Sequence, residues 1–259
     1  MPSLTYMLTL AALASAALAS DFPSLDQALP QAINILSTAA VFDFDTDGCL
    51  PSAAVSRSGA QNGGLKPTGS ITGGCRRADF MSYSNTYHRY ACIADGGSTY
   101  CAHYYALYFL KDQATVLGGG HRHDIEHAVV WTKDGVVTHG GYSAHGDLHN
   151  AEASTLDQQN GHLKFVYHKD GVTTHAMRFA KSDEVAENSY GTFVTPPVVS
   201  WFTMKGDGID NARMRQLVNG FDFGSAHFPI LDGDILNQIN KFKPDGYPTF
   251  TQASVDNSL

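Results

Sequence analysis

The sequence predicts a mainly β protein, an antiparallel β-sandwich with peripheral helices. Three observations lead there. From Arg89 onward, the middle of the chain is made of runs of β-branched and aromatic residues. Asp134-Gly135 and Asp170-Gly171 each lie between two such runs, and Asp-Gly in that setting is the strongest short hairpin signal. Helical spacing is confined to the ends of the chain.

The elements follow in order. The apolar run Met7–Ala19 ends in Ala17-Leu18-Ala19 and is too short to span a bilayer, which takes about 20 residues. Its small-residue ending fits signal-peptidase cleavage, so residues 1–19 read as a signal peptide, although no Lys or Arg precedes the run. Residues 20–259 show no sharp boundary and read as a single domain. The spacing of Leu25, Ala28, Ile33 and Leu36 predicts a short helix interrupted by Pro30. Residues 51–74 are rich in Ser, Gly and Asn and read as loop. Strands are expected in "TYCAHYYALYFL", "HAVVWTK", "VVTHGGYSA", "LKFVYHK" and "VTTHAMRFA". Two short helices are expected late in the chain. "DNARMRQLVNGF" has Asp210 or Asn211 as its cap and Gly220 as its stop, and "DILNQINKF" is capped by Asp234.

Charge and cysteines narrow the function. A formal net charge of −8 leaves no footprint for nucleic acid and no polybasic handle for anionic lipid. Membrane contact therefore needs a specific head group or a bridging cation. Secretion would place Cys49, Cys75, Cys92 and Cys101 in an oxidising compartment, where they form two disulfides. Three pairings are open, and sequence proximity favours Cys49 with Cys75 and Cys92 with Cys101.

The chemistry concentrates in "GGGHRHDIEHAVVW", residues 118–131. As a helix it would put His123 and His127 on one face beside Glu126, the H-x-x-E-H pattern of inverted zinc proteases. Three features oppose that reading: three glycines before the stretch, β-branched residues after it, and the Asp134-Gly135 turn. As a strand it places Arg122, Asp124, Glu126 and Ala128 on one face, and His123, Ile125, His127 and Val129 on the other. Two carboxylates that close repel unless a proton or a cation intervenes, and Ca²⁺ or Mg²⁺ is the natural relief. His121 sits in the glycine turn, where the backbone can bring its ring to the same side. Asp112, at the end of "YALYFLKD", is placed to close the set from a neighbouring strand or loop. The competing structural reading is a salt bridge from Arg122 to Asp124 or Glu126.

At these residues the sequence resembles a known family. "GHRHDIE" is similar to the GHRHDWE heptapeptide of the necrosis-inducing NLP cytolysins, secreted proteins of fungi, oomycetes and bacteria that injure plant cells. "DGCLPSAAVSRSGAQNGGL" with "GCR", "YALYFLKDQ", "YSAHG" and "THAMRF" resemble further segments, so the likeness covers roughly residues 40–250. It implies an actinoporin-like β-sandwich and a Cys49–Cys75 disulfide, and the Cys92, Cys101 pair resembles a fungal subgroup with a second one. It also implies a divalent cation, Mg²⁺ or Ca²⁺, on Asp112, His121, Asp124 and Glu126, with Arg122, His123, His127 and His175 in support. The implied target is the sugar head group of plant plasma-membrane sphingolipids, the glycosylinositol phosphorylceramides, reached by peripheral membrane contact. Ile125 stands where the family usually has Trp, and Leu110 where it has Pro. The interval from Asp112 to His121 is one residue longer.

Other features have plainer readings. "DFDTDG", residues 43–48, begins like a calcium loop but has Ala54 where the twelfth ligand belongs, so a polar turn is expected. His139, His145 and His149 read as solvated histidines rather than a second metal site. His175 reads from its residues as a half-buried strand histidine, with support of the metal ligands as the alternative. Trp131 and Trp201 read as core. Three functions result: a secreted, metal-dependent, non-enzymatic cytolysin or elicitor; a zinc hydrolase using His123, Glu126 and His127; or a non-lytic sugar-binding module.

Overall fold

Alternating aromatic and small residues between glycine turns build a long meander. In a computed structural model that describes residues 21–258, these runs form the larger of two sheets. The predicted signal peptide lies outside the described residues. The strands are β1 (Val41–Phe44), β2 (Thr86–Asp95), β3 (Ser98–Thr115), β4 (Gly118–Lys133), β5 (Val136–Ala144), β6 (Asp147–Glu152), β7 (Gln158–Gln159), β8 (His162–Lys169), β9 (His175–Phe179) and β10 (Val198–Ser200). Strands β2 to β6 run antiparallel in sequence order, with β10 added beside β2. Asp134-Gly135 makes the β4–β5 turn with both residues at positive φ, as the type I′ hairpin requires. The smaller sheet holds β1, β8, β7 and β9, and β8–β9 is the second predicted hairpin.

The two sheets pack face to face over an aromatic core. Phe109 of the larger sheet stacks on Tyr167 of the smaller, with ring centroids 3.8 Å apart. At Gly140 of β5 a Cβ would lie 2.8 Å from Leu156 and 2.9 Å from Leu163, so any larger residue would have to displace these side chains. Trp131 and Trp201 are buried as expected, and each ring N–H has a partner, Asn150 Oδ1 at 3.0 Å and Asp232 Oδ1 at 2.9 Å.

The mainly β architecture agrees with the sequence, with particular differences. Two pairings, β1 with β8 and β10 with β2, are parallel, which the hairpin signals could not reveal. The helix expected over Leu25–Leu36 does not form. That segment is an extended strap in which Ala28 N–H donates to Val198 O at 2.8 Å and Ser200 N–H donates to Ala28 O at 2.7 Å. Pro30 bars an uninterrupted helix there, and Leu25 and Ile35 are buried without one. Helices α1 (Asn211–Asn219) and α2 (Ile235–Phe242) appear where expected. Asp210 caps α1 by accepting from Arg213 N–H at 2.8 Å, whereas the Asp234 side chain makes no capping bond to α2. A third helix, α3 (Gln252–Asp256), carries a Thr251–Ser254 capping box.

Both disulfides pair as proximity suggested. Cys92 and Cys101 face each other across β2 and β3, and Cys49–Cys75 closes the loop region. The loops they close are unequal, with sequence separations of 26 for Cys49–Cys75 and 9 for Cys92–Cys101. Chain-entropy scaling then gives losses of about 3.5 and about 2.6 kcal/mol on removing each bridge. Denaturant unfolding of the two double-alanine variants is expected to show the greater loss for Cys49→Ala/Cys75→Ala. A greater loss for the hairpin pair would contradict the loop-length account.

Candidate metal centre

The β3–β4 hairpin keeps one register from Tyr100↔Lys133 to Thr115↔Gly118, which makes Asp112 and His121 direct cross-strand partners. Strict alternation along β4 would send His121 and Asp124 to opposite faces, because they are three residues apart. His123 resolves this with φ +61°, a left-handed residue inside the strand. Beyond it the faces exchange. Arg122 and His123 both meet the Gly63-Gly64 loop: the Arg122 guanidinium donates to Gly63 O at 2.7 Å and Gly64 O at 3.1 Å. A Cβ on Gly64 would lie 2.6 Å from the His123 ring. His121 turns the other way, toward Asp112 and Asp124. This corrects the face assignment that put Arg122 with Asp124 and Glu126, and among the described residues Arg122 forms no ion pair with either. The glycine turn contributes as well. Gly120 has φ +99°, and a Cβ there would lie 2.3 Å from Asp112 O.

The result is a compact donor set. One side-chain donor atom from each of Asp112, His121 and Asp124 lies within 4.8 Å of the others. His121 Nδ1 donates to His123 O at 2.6 Å, which leaves Nε2 as the lone-pair nitrogen, 3.9 Å from Asp112 Oδ2. Asp112 is gripped from β9. Its carboxylate accepts the His175 backbone N–H at 2.9 and 3.1 Å and His175 Nδ1 at 2.7 Å. On its far side His175 Nε2 lies 3.2 Å from Asp47 O. Burial opposes charge on His175, but the hydrogen bond to Asp112 and that residue's charge outweigh it and raise its pKa. The half-buried strand reading of His175 is thus too weak: it is buried and holds a carboxylate.

Asp124 Oδ2 accepts from Tyr167 OH at 2.7 Å. Burial first, and then the Asp112 charge, push the Asp124 pKa up to about 7. Glu126 lies beyond the three-residue cluster on the wall of the same cavity, where Ser143 Oγ donates to it. Burial and the Asp124 charge hold the Glu126 pKa well above the ordinary carboxylate range. These carboxyls cannot all ionise together without a positive partner. Oxygen donors with one neutral imidazole suit a hard divalent cation better than zinc, so the cluster is one that could hold a metal.

The zinc-hydrolase arrangement is not formed. The stretch is a strand, and His123 bonds Tyr108 OH at 2.7 Å and packs on Phe223, away from the cavity that Glu126 lines. His127 stacks on Tyr104, and burial lowers its pKa to about 3. Ile125 is buried, in keeping with a packing role. The other histidines are dispersed. His139 packs on Tyr247, His145 bonds Asp170 at 2.9 Å, and His149 stacks on Tyr142. In the "DFDTDG" segment Asp43 and Phe44 end β1, and a turn follows. Asp43 accepts the backbone N–H groups of Glu187 and Asn188, and Arg76 donates to Asp45 O and Gly48 O. Sequence reasoning missed Tyr167, which lies in β8 of the other sheet, and Ser143, whose "YSAHG" segment was noted without assigning it a role. It also missed Asp47, whose contact with His175 only the fold creates.

The pKa of Asp124 gives a pH signature. Raised from 3.8 to about 7 in the folded metal-free protein, it stabilises the fold fully at low pH, and that contribution is lost as pH rises through about 7. In EDTA, thermal melting should show the wild type losing ground to Asp124→Asn between about pH 4 and about pH 7. Excess calcium should restore the wild type alone. Parallel pH profiles for the two proteins would contradict the assignment.

Comparison with known proteins places the chain in a family. The family model described as necrosis inducing protein (NPP1) matches residues 36–242. The chain is 31% identical over 203 residues to necrosis-inducing protein NPP1 of Phytophthora nicotianae, spanning 75% of this chain and 76% of that one. Its fold is similar to that of the non-toxic HaNLP3 protein, with a TM-score of 0.70 at 24% identity over 88% of this chain and 100% of that one. It is also similar to NLPPya in complex with mannosamine, with a TM-score of 0.65 at 26% identity over 84% and 94% of the two chains. The resemblance read from the heptapeptide is therefore borne out, and this chain belongs to the family of necrosis-inducing NPP1 proteins, the NLP effectors.

Proposed function

We propose that this protein is a secreted, cation-dependent cytolysin that recognises the sugar head group of a plant plasma-membrane sphingolipid, a glycosylinositol phosphorylceramide, and does not turn it over. The observation that carries the reading is the convergence of Asp112, His121 and Asp124 on the wall of an open cavity of about 340 Å³. Asp112, Asp124, His121 Nε2 and Glu126 would hold Mg²⁺ or Ca²⁺. The bound ion would neutralise the carboxylates and offer its open coordination positions to sugar hydroxyls. The chain's own residues fix the donors: His175 aims Asp112, Tyr167 aims Asp124, Ser143 aims Glu126, and the His123 kink presents His121.

Two further observations support it. A family relative has been seen with an amino sugar bound. The net charge of −8 makes adhesion to anionic lipid by charge alone unfavourable, so recognition of a specific sugar through a bridging cation is the more suitable route. The apolar leader in residues 1–19 and the two disulfides fit an extracellular site of action. A non-toxic fold neighbour indicates that the fold alone does not confer lysis, so the activity must be tested on this chain.

The test is dye release from vesicles made with or without the plant sphingolipid. The protein should release dye only from sphingolipid vesicles with calcium or magnesium present. EDTA should suppress release, and Asp124→Ala should abolish it, whereas Glu126→Gln should reduce it about tenfold for the loss of one charged contact. Release indifferent to EDTA, or equal release from vesicles lacking the sphingolipid, would sink the reading.

A further inference from the structure

The cavity that holds the donor cluster has a second arm of different chemistry. Its wall there is formed by Ser225 and His227 from the segment between α1 and α2, by Gln238 and Phe242 of α2, and by His127 of β4. The two ends are linked by hydrogen bonds: Ser143 Oγ donates to Glu126 and accepts the His127 backbone N–H at 2.8 Å.

One atom in this arm lacks a partner. His127 is 9% exposed, and its buried Nε2 has no hydrogen-bond partner. In either tautomer that is a buried donor without an acceptor or an acceptor without a donor, an arrangement that native proteins keep for a bound group or an ordered water. Beside it, Gln238 Nε2 lies 3.3 Å from His227 Nε2. Phe242 adds an aromatic surface. None of the five side chains named here is a carboxylate, unlike the acidic cluster at the other end. A few convergent hydrogen-bonding groups without a carboxylate, next to an aromatic ring, make a site for a neutral, hydroxyl-rich ring.

We propose that this arm is a second carbohydrate subsite, taking a neutral sugar ring joined to the one held at the metal centre. The inference rests on the sugar-recognition reading above and extends it: the ligand is at least a disaccharide, and its outer ring is read by His127, His227 and Gln238.

The test uses the calcium-loaded protein and isothermal titration with glucosamine and with disaccharides that join glucosamine to a neutral hexose in each common linkage. At least one disaccharide should bind about tenfold more tightly than glucosamine, the worth of one or two net hydrogen bonds. His227→Ala/Gln238→Ala should return that disaccharide to the affinity of glucosamine and leave glucosamine itself within about twofold. His227 is exposed and Gln238 partly so, which makes the variant compatible with folding, and a melting curve checks this. If no disaccharide improves on glucosamine, or if the gain survives the double substitution, the second subsite is wrong while the metal-centre reading stands. If glucosamine fails to bind, or binds equally in EDTA, that reading falls and this one falls with it.

Discussion

Asp112, Asp124 and Glu126 are three carboxyl groups brought to one wall of a cavity and largely removed from water. Removing charge from water is costly, and gathering like charges adds repulsion. Protons relieve both costs in the metal-free protein, which is why Asp124 and Glu126 hold theirs above the ordinary range. A divalent cation relieves them more completely, because it binds the charged forms directly. The rest of the site keeps these oxygens in place until that happens. Tyr167, Ser143 and His175 each engage one carboxyl, and each comes from a different strand.

The backbone serves the same end by departing from regularity. A regular β4 would separate His121 from Asp124. One left-handed residue, His123, reverses the faces at the cost of local strain, and its ring is fixed by Tyr108 OH. Gly120 lets β4 approach β3 without a Cβ that would strike Asp112 O. Gly48 has a similar duty, since a Cβ there would lie 2.7 Å from the His175 ring that holds Asp112.

Much of this was legible in the sequence, and the limits have physical causes. Asp134-Gly135 announced its hairpin because a I′ turn demands those residues, while Asp170-Gly171 marked a longer connection in which only Gly171 has positive φ. The crowding of His, Arg and carboxylates announced Asp124, because side chains at alternate strand positions share a face by geometry alone. The same periodicity misplaced Arg122, since nothing in a one-dimensional pattern reveals that His123 is left-handed. Leu25–Leu36 misled for a related reason: apolar residues of unequal burial, from buried Leu25 to exposed Leu36, can fall at helical spacing by chance. Tyr167 and Asp47 were invisible because each reaches the centre through tertiary packing, far along the chain from the residue it steadies, and Ser143 because its contact with Glu126 depends on the β4–β5 register. The parallel pairing of β1 with β8 was hidden likewise, as a strand's partner across more than a hundred residues leaves no local trace.

The central claim is that Asp112, His121 and Asp124 converge to bind one oxophilic ion. It is tested most directly by crystallising the protein with manganese, a hard divalent ion visible by its anomalous scattering. The account predicts one strong anomalous peak bonded to oxygens of Asp112 and Asp124, with His121 and Glu126 directed toward it. A peak bonded instead to His123 or His127, or an acidic wall without a peak at saturating manganese, would contradict it.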